Sequence, residues 1–203
     1  MKKKLALLIA LTVMLGLASP AAAPFAQAAS TTTKTASATS NNTNKTAQPN
    51  TATGSTATGE EDDLDPALLA EMQVFVDYAA QIKPLNTYSD KASAALQTLP
   101  DITAKNRKQV YAILTNTVVP NCTKLVAGLK KIKPNNAELA QIHAQFVKAN
   151  VLQLEGVTLL QKYAAGTKLN VSLLSQAGTK FKSAATFASA YEQAINKYAA
   201  KFN

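Results

Sequence analysis

The chain has 203 residues, 47% of them hydrophobic, with one cysteine, one histidine, no tryptophan and a formal net charge of +9. A lone thiol excludes an internal disulfide, and one His with one Cys is too thin a set for a metal centre. A single arginine, with no interleaving of aromatic and basic residues, gives nucleic acid no footing as a partner.

Residues 1–28 read as a secretory signal. Met1 and three lysines open it, an uncharged apolar run follows from Leu5 to Ala18, and Ser19-Pro20 breaks that run. Ala26-Gln27-Ala28 puts small residues three before and one before a cut ahead of Ala29. The run is short for a membrane anchor, which needs about 20 apolar residues, and no later segment approaches a span. The expected location is therefore outside the cell or on the cell wall of a bacterium. Residues 29–63 carry Ser, Thr, Ala, Asn and Gly with no aromatic residue, so nothing in them repays the entropy of folding, and they are expected to form a disordered linker. Glu60, Glu61, Asp62, Asp63 and Asp65 close it as an acidic collar, placed where carboxylates favour a helix N-terminus.

Residues 64–203 are expected to form an all-α domain, an antiparallel up-down-up-down four-helix bundle, because four long stretches repeat apolar residues at three-and-four spacing with turn residues between them. The first helix starts at Pro66 with Asp65 as its N-cap and stops before Pro100. The second runs from Ala104, capped by Thr103, to Lys133. Its stripe is Val110, Ile113 or Leu114, Val118, Cys122, Leu125, Leu129 and Ile132, which makes Cys122 a buried thiol. A third begins at Asn135, where Glu138 completes a capping-box pattern, and stops near Gly166. Asn170 caps the fourth. The single histidine, His143, falls on the flank of the third stripe.

Pro84 and Pro120 kink the first two helices, since each removes an amide donor and pushes away a carbonyl. With the first turn centred near Ile102 the two prolines stand at one height. The same height reaches Asn150, Gln153 and Thr186, a candidate mid-bundle cavity for a small molecule or peptide. The competing reading is that these amides only satisfy carbonyls freed at the kinks.

No nucleophile elbow, zinc-protease, P-loop or dinucleotide glycine motif occurs, and no two acids of the domain stand at helical i, i+3 or i, i+4 spacing. No enzyme activity and no cofactor or metal is expected. Residues 66–203 hold 16 basic and seven acidic groups, a net of +9. Lys105, Arg107 and Lys108, with Lys124, Lys130, Lys131 and Lys133, form the candidate basic surface. An anionic wall polymer or membrane surface is the partner that such a charge attracts. The expected function is thus a monomeric binding module of the cell envelope, with a structural or oligomerising helical module as runner-up.

Overall fold

The structure, a computed structural model, describes residues 65–202; the signal, its cleavage site, the linker and most of the acidic collar lie outside them. The described residues are all-helical in class, with loops only between the helices and no strand among them. They form four helical stretches, two of them interrupted. The first comprises α1 (Pro66–Ile82), a 3-10 turn (Lys83–Leu85) and α2 (Asn86–Gln97). The second comprises α3 (Arg107–Ile113), a π segment (Leu114–Val118) and α4 (Val119–Leu129). Then come α5 (Ala137–Ala165) and α6 (Val171–Ala199), uninterrupted, and a last 3-10 turn (Ala200–Phe202).

Local chemistry explains most of the boundaries. Asp65 caps α1, its carboxylate accepting from the Ala67 amide at 2.9 Å, with Pro66 in the first turn. The Asn170 side chain accepts from the Ser172 amide at 3.0 Å and starts α6. Two N-termini differ from the sequence reading. The second stretch begins at Arg107 and not at Ala104, because the Asn106 carboxamide folds residues 101–106 into a turn: its Oδ1 accepts from both the amide and the hydroxyl of Thr103, and its Nδ2 donates to the Asp101 carbonyl. α5 is capped by Asn136, which accepts from the Leu139 amide at 3.0 Å. No capping box forms there, since Glu138 binds Lys201 instead. The second stretch also ends early. Lys131 and Ile132 donate to the carbonyls of Gly128 and Leu129, tight turns that close the helix ahead of Pro134.

Both prolines break the helical pattern. Pro84 sits within the 3-10 turn, and Pro120 is the second residue of α4, just past the π segment. That π segment also reconciles a spacing mismatch. From Val110 the stripe advances by four residues three times, to Leu114, Val118 and Cys122, and each step overshoots an α-helical turn by about 40°. The wider turn absorbs that drift, closed by the Val119 amide reaching the Leu114 carbonyl, and all four side chains stay at 0–3% exposure.

Two apolar clusters make up the core. One joins Ala92 and Leu96 of α2, Val110, Leu114, Val118 and Cys122, the Val157–Ala164 part of α5, and Ala177 and Phe181 of α6. The other joins Phe75, Tyr78 and Ile82 of α1, Leu125 and Leu129 of α4, Leu139–Phe146 of α5, and Ile195 and Tyr198 of α6. Residue numbers rise on α5 as they fall on α6, and the ion pairs follow the same order: Glu155 with Lys180 at 2.6 Å, and Glu138 with Lys201 at 2.5 Å. Lys201 also reaches Glu71 at 3.1 Å, tying the end of the last helix to the starts of α1 and α5.

Candidate functional site

Asn150 and Gln153 are both buried on α5, at 7% and 3% exposure, between the part of that helix serving one apolar cluster and the part serving the other. They are a polar interruption of the buried face of α5. Thr186 does not join them: it is exposed, and its hydroxyl donates to the Lys182 carbonyl one turn back on α6. Asn150 Nδ2 donates to the Phe146 carbonyl of its own helix at 2.9 Å, and Gln153 Nε2 meets no acceptor among the described residues. Neither of these nitrogens repairs a carbonyl at a kink. Asn121, next to Pro120, bonds one turn back on its own helix, its Nδ2 donating to the Thr117 carbonyl at 2.7 Å, which is not the carbonyl four residues before the proline.

The common height of the two prolines is also corrected. The Leu85 side chain lies against Gly128, and Lys124 Nζ stands 5.8 Å from the centroid of the Tyr88 ring. That register sets Pro120 opposite residue 92 or 93, about nine residues and roughly 13 Å beyond Pro84 along the first stretch. The connection is the cause. It runs from 98 to 106, centred as inferred, but it does not turn back tightly: the same register sets Gln97 opposite residue 115 or 116, so the second stretch begins well beyond the end of the first and is moved along it by more than two turns. The geometry that placed a cavity at Asn150, Gln153 and Thr186 is therefore absent.

His143 is a core residue at 5% exposure and not a boundary one. Its Nε2 lies 2.9 Å from the Leu129 carbonyl, which only accepts, so that nitrogen carries the proton. Nδ1 is then the acceptor for the Tyr78 hydroxyl at 3.1 Å, and the two rings meet edge to face. Burial, followed by the charge of Lys133, holds the His143 pKa below its usual range despite the carbonyl contact. Cys122 is buried as expected, and burial pushes its thiol up to about 12. Among the described residues no group of three or more His, Cys, Asp and Glu is placed to hold a metal ion. No helix among them is long and apolar enough to cross a membrane.

The basic candidates fall into two groups instead of one face. Lys105, Arg107 and Lys108 stand where the second stretch begins, and Lys130, Lys131 and Lys133 where it ends, roughly 35 Å away at 1.5 Å per residue. Lys124 lies nearer the second group, over Tyr88. Among the described residues none of these seven takes part in an ion pair, whereas Lys180 and Lys201 do. All but Arg107 are exposed, and Arg107 is half-buried.

Two of the open depressions on the described surface involve charged side chains. One, of about 320 Å³, is lined by Arg107, Lys108 and Tyr111 with Ala164 and Ala165 from the end of α5. The other, of about 330 Å³, runs between α5 and α6 and is bridged by the Glu155–Lys180 pair. The sequence flagged Arg107 and Lys108 but missed Tyr111, although its i+4 and i+3 spacing from them already set all three on one helix face. No known protein family, curated protein or solved structure matches this chain.

Proposed function

We propose that the chain is an exported, non-enzymatic binding module of a bacterial cell envelope, held out by its Ser/Thr/Ala/Asn-rich segment and binding an anionic wall polymer or membrane surface through its cationic ends. In this reading residues 1–28 are removed as a signal, and the domain acts as a monomeric up-down-up-down four-helix bundle. The observation that carries the reading is the state of the cations: seven basic side chains, six of them exposed, stand at or toward the two ends of one helical stretch without a carboxylate partner among the described residues. Charges left unpaired at a surface act as a field on polyanions, and that field decays over about 10 Å in 0.1 M salt. Two groups roughly 35 Å apart therefore act as separate contacts.

The test is retention on purified anionic wall polymer at 50 and 500 mM salt. Binding should be strong at the lower concentration and largely lost at the higher one. Replacing Lys130, Lys131 and Lys133 by Glu should weaken retention without altering helix content. Retention that ignores both salt and charge reversal would exclude this mode of binding.

A further inference from the structure

The depression beside Arg107 is concave and sets an aromatic ring beside two basic side chains. Arg107, Lys108 and Tyr111 share one helix face, since residues three and four apart are neighbours there. Ala164 and Ala165 supply the opposite wall, and their small side chains leave the floor open. Tyr111 is among the few large apolar residues in contact with solvent, at 38% exposure, although its neighbour Val110 is completely buried. The chain has 20 lysines and one arginine, and that arginine lines this depression. A guanidinium is planar and donates through a fixed fork that matches two phosphate oxygens, which a lysine ammonium cannot do. About 320 Å³ falls at the lower end of the range for small-molecule sites.

We infer that this depression binds one phosphorylated sugar unit of an anionic polymer, with the phosphate on Arg107 and Lys108 and the sugar ring against Tyr111. The inference rests on the anion-binding reading above and sharpens it from a charge to a chemical unit. Phosphate alone would satisfy the two cations but leave the aromatic face and the alanine wall in water. A neutral sugar would leave the guanidinium fork unused. Only a ligand carrying both groups covers the whole depression. Lys130, Lys131 and Lys133 line neither of the two depressions described.

The test titrates N-acetylglucosamine 1-phosphate and, separately, inorganic phosphate into the isotopically labelled full-length chain while following backbone amide shifts. Saturable shifts are expected at residues 107–111 and 164–166, at lower concentration for the sugar phosphate than for phosphate. Tyr111→Ala, at an exposed position, should weaken the sugar phosphate by about five-fold or more and leave phosphate unchanged. Arg107→Gln should weaken both. Equal binding of the two probes, no effect of Tyr111→Ala, or shifts confined to residues 124–133 would each overturn the inference. If the salt-sensitive retention on polymer survives in Tyr111→Ala while the sugar phosphate gains nothing over phosphate, the sugar site alone fails. Loss of salt-sensitive retention in the unaltered chain would instead remove the broader reading.

Discussion

The Tyr78 hydroxyl donates to Nδ1 of His143 across the interface of α1 and α5, while the other ring nitrogen of that histidine is held by the Leu129 carbonyl at the end of α4. Three of the four stretches are thus joined through one neutral imidazole. Because burial lowers the His143 pKa below its unfolded value, the contribution of this group is fully present above about pH 6.5 and is lost as pH falls through the lower, folded-state value. The urea midpoint should therefore decline between pH 7 and pH 5. His143 is the only histidine in the chain, and His143→Gln should flatten the curve over that interval. A midpoint in the unaltered chain that is constant from pH 7 to pH 5 would contradict the assignment.

Tyr78→Phe tests the same bond without touching a charge. The ring remains to fill the core, but Nδ1 loses its donor, and a buried acceptor left unmade costs about 1–3 kcal/mol. Equilibrium unfolding should show a loss of that size.

Gly156 lies against the ring of Phe181, whose Cδ1 and Cζ would stand 2.8 Å from an added Cβ. Alanine in mid-helix ordinarily gains about 1 kcal/mol over glycine. Here the ring is 3% exposed and packed within an apolar cluster, and overpacking costs about 1–3 kcal/mol. Gly156→Ala should thus be net destabilising in a thermal melt, while Gly178→Ala, at a half-buried position of α6, serves as the comparison.

The amide of Gln153 leads to the opposite sign. Its Nε2 is buried and meets no acceptor among the described residues, so Gln153→Leu removes a desolvated donor and adds apolar surface of similar volume. The variant should be more stable by about 1 kcal/mol. A loss of stability would mean that the carboxamide makes a bond essential to the core.

How far the sequence was legible follows from the physics of each feature. Asp65-Pro66 and Asn170 were readable as caps because capping is decided within three residues. Cys122 was readable as buried because one stripe carries it with Val118 and Leu125. The relative height of the two prolines was not, because it depends on the path of the connection, and that path was set by Asn106 folding back onto Thr103 and Asp101. Thr186 was misplaced for a different reason: the Glu155–Lys180 pair sets it near the height of Asn150, but it lies on the solvent side of α6. Tyr111 was missed because the alanine wall that makes its helix face concave comes from the end of α5, remote in sequence, and only the fold brings it beside α3.

The π segment Leu114–Val118 has a consequence for how the gene tolerates length changes. A turn that holds one surplus residue is what a single-codon insertion into an α-helix leaves behind. Deleting Thr117 would shorten one of the three four-residue steps between Val110 and Cys122 to three. The remaining alternation of four, three and four is what a regular α-helix needs to keep a stripe facing inward. One-residue deletions elsewhere in α3 to α4 rotate every later side chain by about 100° and should abolish folding. At Thr117 the deletion should yield a folded domain with Cys122 still shielded from thiol reagents. A deletion scan along residues 107–129, scored by soluble expression and thiol protection, should therefore show one permissive window, and it should coincide with the wide turn.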